Sequence, residues 1–371
     1  MKVGLLTHSV NPRGGVVHVL ELGTALQAAG HDVTVWAPAA PGQALFRPVP
    51  FCFSPVPLPA TAPAGTANRV AQRIEAYRQH LATQALERFD VLHCHDGIGA
   101  NALADLGLPF VRTVHHLDPF DDPRLAAWQQ RSVTAAAQVL VVSALWQQVL
   151  QDDWGVHAQR VHNGVDLTRY RARPDAYDAD LCRRHGLRPG APLWLAVGGI
   201  EERKNSLRLL EAFLLHRAVH LQAQLVIAGG ASLLDHADCR ARFDALLAAS
   251  PHRDAVVITG PVPDAAMPAL YRAADGVLMP SLREGFGLVV LEALASQTPV
   301  VVSDCAPFTE YLAPGDAHWA DPGQATSIAA AMQRALDAPP LQSVPAVCHR
   351  HDWTTSAARH LDIYTSLAAL A

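Results

Sequence analysis

The stretch PSLREGFGLVVLEALASQTPVVVSDCAPFTE (280–310) decides how this chain folds. DGVLM (275–279) supplies an incoming strand and PVVVS (299–303) the next; between them a loop opens a short helix. Gly285 and Gly287 flank Phe286 at that opening, and Leu288, Val289, Leu291, Glu292 and Leu294 follow on the helix. A helix N-terminus presents unpaired N–H groups and a partial positive charge, and glycine lets a ligand approach the backbone closely. That geometry suits a diphosphate. Glu284 precedes Gly285, and Glu292 follows eight residues on, so two carboxylates can face one ligand from different depths. Taken alone, two glutamates at this spacing describe many ordinary helices, one carboxylate solvated and the other in a loop.

Outward from that stretch the same alternation continues. LWLAVGG (193–199), QLVIAGG (224–230) and AVVITG (255–260) precede it, each followed by a helical segment. The first half repeats the pattern with VGLLT (3–7), DVTVWA (32–37), VLHCH (91–95), FVRTVH (110–115) and QVLVV (138–142). Short runs rich in valine and leucine between helical stretches read as parallel sheets wrapped by helices. With 371 residues the chain exceeds one ordinary core, which predicts two domains. A hydrophobic share of 50% against 17% charged residues supports large cores and excludes disorder. A net charge of −5 argues against nucleic-acid binding through bulk electrostatics.

Six cysteines (Cys52, Cys94, Cys182, Cys239, Cys305, Cys348) show no C-x-x-C spacing and read as reduced thiols, not a disulfide framework or zinc site. Met1 runs directly into a strand-like segment without a secretory pattern, and no apolar run approaches ~18 residues. The expected location is cytoplasmic. Only Lys2 and Lys204 are lysines among 29 basic residues, which draws attention to Lys204. It sits in GGIEERKN (198–205), which follows a strand and opens a helix from Ser206.

NPRGG (11–15) leads into a helix over 16–29 and lacks the G-x-G-x-x-G of nicotinamide-dinucleotide sites. Residues 38–63 hold eight prolines and read as extended or looped. Arg69, Arg73 and Arg78 punctuate a helical run over 67–88; a solvated face is favoured there over contact with an anionic membrane or acceptor phosphate. His93, His95 and Asp96 close a strand without a third ligand at metal spacing, and read as a polar strand end opening on a cleft. Asp178-Ala-Asp180 has no apolar strand before it, so its likeness to an Asp-x-Asp metal motif is set aside.

The EGFG context with Glu284-x7-Glu292, together with GGIEERKN (198–205), RVHNGVD (160–166) and TVHHL (113–117), resembles the retaining glycosyltransferases of family 4. The resemblance covers nearly the whole chain and is most specific over 193–310. It implies the α/β GT-B architecture, two Rossmann-like doubly wound domains facing a central cleft. Residues 1–166 would form the acceptor-side domain, joined by a closing helix (352–371) carrying Trp353, Leu361 and Tyr364. Residues 167–192, with Pro174, Pro189 and Pro192, would be the crossing, and 193–351 the donor domain.

The resemblance also assigns roles. Glu284 would lie by the donor sugar and Glu292 would bind the nucleotide ribose. Gly285, Phe286, Gly287 and Leu288 would hold the leaving diphosphate with Lys204, the match to the family's clamp lysine. Gly199 stands where the family usually has arginine and Asn205 replaces its last glycine; Arg203 would supply the missing cation. Gly260 and Val262 would meet the base, and Gly14 and Gly15 the donor phosphates and acceptor. His115 takes the register of the family's sugar-facing histidine, with His116 where an aspartate is usual. The implied reaction is transfer of a hexosyl group from a UDP- or GDP-sugar to an acceptor hydroxyl with retention, without cofactor or metal. No transmembrane segment is expected, and peripheral membrane contact is compatible. A nucleotide-sugar epimerase on the same fold and a non-catalytic sugar-nucleotide binding module are the alternatives; Lys204, Glu284 and Glu292 argue against the second.

Overall fold

The computed structural model describes residues 1–188, 190–230, 234 and 236–368. Pro189, residues 369–371 of the expected closing helix and the side chain of Cys182 lie outside the described residues. The chain divides into two compact units, Met1–Asn163 with Asp352–Ala371, and Gly164–His351.

The first unit carries β1 (Lys2–Leu6), β2 (Asp32–Ala39), β3 (Cys52–Pro57), β4 (Val91–Cys94), β5 (Val111–Val114), β6 (Gln138–Val141) and β7 (Ala158–Arg160). They form one parallel sheet in the order β3-β2-β1-β4-β5-β6-β7. The second unit carries β8 (Leu193–Val197), β9 (Gln224–Ala228), β10 (Val256–Gly260), β11 (Gly276–Met279), β12 (Val300–Ser303) and β13 (His318–Ala320). Its parallel sheet runs β10-β9-β8-β11-β12-β13. Both are doubly wound α/β sheets.

Parallel strands need crossover connections, and the helices that supply them cover both sheet faces, so central strands are apolar throughout. β11 and β12 are buried at every position. Around them Trp194, Phe213, Phe243, Leu278, Val301 and Met332 build the core of the second unit. In the first unit the helix Gly14–Ala28 connects β1 to β2 and buries Val16, His18, Val19, Leu20, Leu22 and Leu26. The helix Trp353–Ala368 belongs to the same unit and packs on it. Strand order reverses beside β1 in one unit and beside β8 in the other. Such switch points are where open α/β sheets form crevices at the carboxyl ends of their strands.

Three strands depart from expectation. The proline-rich stretch contains β3, which pairs with β2 alone and so forms the sheet edge. Pro55 and Pro57 are tolerated there because one side of an edge strand needs no ladder donors. β7 and β13 have three residues each, too few for an apolar run to register. The helical run over 67–88 resolves into a helix, Thr66–Leu81, and a 3₁₀ turn, Leu86–Arg88. Its arginines are engaged locally: Arg73 donates to the His8 carbonyl at 2.9 Å, Arg69 to Thr66 Oγ1 at 2.9 Å, and Arg78 pairs with Glu75 at 2.7 Å. Among the described residues no helix is long and apolar enough to cross a membrane, and Cys52, Cys94, Cys239, Cys305 and Cys348 are free thiols.

Candidate active site

In the second unit the loops leaving β8 and β11 meet at the switch point. Gly198 leaves β8 at φ +132°, a conformation that side chains avoid. The Lys204 chain folds back across it, and its Nζ donates to the Val197 carbonyl at 3.3 Å. Asn205 adopts the left-handed conformation (φ 59°) that asparagine tolerates better than most non-glycine residues. Its amide donates to the carbonyls of Pro280 at 3.0 Å and Pro322 at 2.7 Å. The replacement of glycine at 205 therefore preserves the turn and adds two tethers. The Arg203 carbonyl accepts from Leu282 and Arg283, tying the two loops together.

Arg203 lies between two carboxylates. Its guanidinium is 3.2 Å from Glu201 and 3.4 Å from Glu284. Glu284 also accepts from the Gly285 N–H at 3.1 Å. Gly199 has Glu201 Oε1 and the Gly230 carbonyl within 3.1 Å of where a Cβ would stand, so the arginine usual at 199 would need that space. Sequence reasoning missed Glu201, since nothing in the spacing distinguishes it from Glu202.

Gly287 caps the helix Leu288–Ala295 at φ +93°, and a Cβ there would stand 2.7 Å from Phe308. Phe286 stacks on Tyr311 at 4.5 Å, and the Tyr311 hydroxyl donates to the Phe286 carbonyl at 3.1 Å. Burial first, then Glu284, raises the Tyr311 phenol, which therefore stays a donor. Glu292, on the helix behind, accepts from the Tyr271 hydroxyl at 2.6 Å. Gly260 ends β10 at φ +67° and its carbonyl accepts from the Gly229 N–H at 3.0 Å; Val262, just beyond, is buried. Glu310 is exposed on the helix Phe308–Tyr311.

In the first unit His18, His93, His95, His115 and His360 gather in one cluster, buried except for the half-buried His115. Ring centroids lie 4.8 Å apart for His18–His115, 5.1 Å for His18–His95 and 4.1 Å for His93–His95. Burial, reinforced by mutual repulsion, depresses His93, His95 and His115 well below the ordinary imidazole range. Burial takes His18 to about 4 and His360 to about 3. His18 Nδ1 lies 2.5 Å from Asn163 Oδ1, so that nitrogen carries the proton. His93 is hydrogen-bonded on both ring nitrogens, to Tyr364 at 2.6 Å and Thr113 at 2.7 Å. It is therefore a satisfied core residue and not the open strand end expected of it. Asp96 caps the helix Gly97–Asp105, accepting from Ile98 and Gly99.

His115 packs on the glycine turn: a Cβ on Gly15 would stand 3.2 Å from its ring, whereas Gly14 has open space. His115 Nε2 is 3.3 Å from His95 Nδ1, while His116 turns away to Asp118 at 3.4 Å. Asp178 is held by Arg272 and Asp180 by Arg183 and Arg184, so both carboxylates serve ion pairs. Among the described residues no three His, Cys, Asp or Glu side chains are arranged to hold a metal ion.

Two doubly wound parallel sheets, each with its polar residues at the switch point, define the GT-B class of glycosyltransferases. Residues 12–169 match the family described as Glycosyltransferase Family 4, and residues 180–354 that of Glycosyl transferases group 1. The chain belongs to glycosyltransferase family 4 and is a glycosyltransferase. D-inositol 3-phosphate glycosyltransferase of Pseudarthrobacter chlorophenolicus is 30% identical over 320 aligned residues, 78% of this chain and 74% of that protein. Phosphatidyl-myo-inositol mannosyltransferase of Mycolicibacterium smegmatis is 28% identical, covering 99% and 94%. The fold is shared with sucrose-phosphate synthase from Thermosynechococcus elongatus (TM-score 0.80, 21% identity, 100% of each chain). It is shared too with Anabaena HepE in complex with UDP-glucose (TM-score 0.77, 19% identity, 99% and 100%).

Proposed function

We propose that the protein transfers a hexosyl group from a nucleoside diphosphate sugar to an acceptor hydroxyl, with retention at the anomeric carbon and without a divalent metal. The observation that carries this reading is Lys204 folded over Gly198 at the mouth of β8. In such a transfer the bond from the anomeric carbon to phosphate breaks, and negative charge grows on the departing diphosphate. Fixed cations and N–H groups aimed at that charge lower the barrier more than a protein nucleophile would. Lys204 supplies the cation, and Gly285 to Leu288 supply the helix N-terminus. Arg203 bridges Glu201 and Glu284 and so fixes the carboxylate assigned to the sugar, while Glu292 takes the ribose. Gly260 and Val262 form the backbone wall for the base. In the first unit, Gly14, Gly15 and His115 serve the donor phosphates, acceptor and sugar.

A uridine diphosphate sugar is the first donor to test, because HepE, of like fold, is in complex with UDP and UDP-glucose. The experiment is thermal melting across UDP- and GDP-sugars, since a ligand that binds only the folded chain raises its melting point. It is followed by assay of nucleoside diphosphate release with exhaustive chelation. A stabilising donor whose transfer survives chelation supports the reading. Transfer abolished by chelation and restored by Mg²⁺ or Mn²⁺ removes the metal-free claim, and a panel with no stabilising donor removes the donor class.

A further inference from the structure

Glu292 is held by a phenol that no motif announces. Tyr271 is 0% exposed, and its hydroxyl donates to Glu292 Oε2 at 2.6 Å. The tyrosine is anchored in turn: its carbonyl accepts from Thr298 Oγ1 at 2.8 Å, and its ring meets Tyr170 edge-on at 5.8 Å. Arg169, paired with Asp264 at 2.8 Å, lies 5.0 Å over the Tyr170 ring. Burial first, and then the Glu292 charge, pushes the Tyr271 phenol well above its ordinary range, so it remains a proton donor throughout an assay's pH range.

We propose that Tyr271 is a positioning residue that aims the Glu292 carboxylate at the ribose hydroxyls of the donor, making the site select ribonucleotides over deoxyribonucleotides. The proposal rests on the reading of Glu292 as the ribose ligand. A glutamate side chain has three rotatable bonds, and ordering it costs entropy each time a ligand binds. A short hydrogen bond from a fully buried donor holds the carboxylate in one orientation before the ligand arrives. A site built to hydrogen-bond a hydroxyl rejects the analogue lacking it, because its own polar group is then left unpaired. Without the phenol, the carboxylate loses this anchor, and that rejection weakens while base and diphosphate contacts persist.

The test measures binding of UDP, GDP and their 2′-deoxy and 3′-deoxy counterparts to the full-length wild type, Tyr271→Phe, Glu292→Gln and the double variant. Wild type should favour the ribonucleotide by about 10- to 100-fold, the range for a hydrogen bond to a charged group. In Tyr271→Phe that ratio should fall toward one through weaker ribonucleotide binding, with deoxynucleotide binding held within about twofold. The double variant should be no worse than Glu292→Gln. Equal weakening of both nucleotides in Tyr271→Phe, or no change in either, overturns the positioning role while Glu292→Gln still reports the ribose contact. Full discrimination retained by Glu292→Gln overturns the ribose reading itself, and the proposal with it. Melting of the ligand-free variants reports folding. Thr298→Val, which removes the hydrogen bond on the Tyr271 carbonyl, is the second variant and should lower the same ratio; an unchanged ratio in both variants contradicts the proposal.

Discussion

Lys204 crosses Gly198 so closely that a Cβ on the glycine would stand 2.6 Å from the lysine Cε and 2.9 Å from Nζ. The position of the only lysine in the second unit thus depends on an absent side chain one strand exit away. Gly198→Ala should therefore reproduce Lys204→Ala, each lowering kcat by about 10²–10³ as expected for loss of one group stabilising transition-state charge. Steady-state kinetics of the two variants check it, with melting to account for the strain of alanine at φ +132°. Near wild-type turnover in Lys204→Ala would remove the clamp.

Arg203→Ala leaves Glu201 and Glu284 without their shared cation. The guanidinium is one-quarter exposed, so solvent softens the loss. A destabilisation on the order of 1–2 kcal/mol is expected, below the range for a fully buried pair. Adding Glu201→Gln to Arg203→Ala should recover part of it, because a buried carboxylate of 5% exposure is then neutral. Urea denaturation of the single and double variants measures the recovery; strict additivity would contradict the bridging role.

The histidine cluster makes stability sensitive to acid. His18 titrates near 4 and His360 near 3 in the folded chain, against about 6.5 when unfolded. Protons therefore bind the unfolded chain preferentially. This contribution is fully present above about pH 6.5 and is lost as pH falls toward the folded values, each histidine giving about 1.4 kcal/mol per pH unit. Urea denaturation at pH 7.5 and 5.5 should show the fall. His360→Leu should flatten the acid limb, and equal pH slopes in variant and wild type would contradict the account.

His115 and His116 separate by strand alternation, one onto Gly15 and His95, the other toward Asp118. His115→Ala should lose turnover by at least about tenfold, while His116→Ala should stay within a few-fold of wild type. A loss confined to His116→Ala would reverse the assignment.

Both parallel sheets were legible because buried strands write themselves as unbroken valine and leucine runs. β3 was not, because its prolines mask an edge strand whose pairing is one-sided. The turns at Gly198 and Gly287 were legible too, since close approach and positive φ leave glycine as their mark. The groups that hold the site in place were not. Tyr271 is 21 residues from Glu292, and the five clustered histidines come from four separate segments. Partners distant along the chain leave no local period or spacing to read.

We propose that a diphosphate clamp built on Lys204 drives transfer with retention of configuration. Product stereochemistry answers it most directly: NMR of the freshly formed glycoside from an α-linked nucleotide-sugar donor. An α-linked product is predicted. A β-linked product would contradict the account, because inversion calls for a base and an in-line acceptor in place of a site organised around the leaving group.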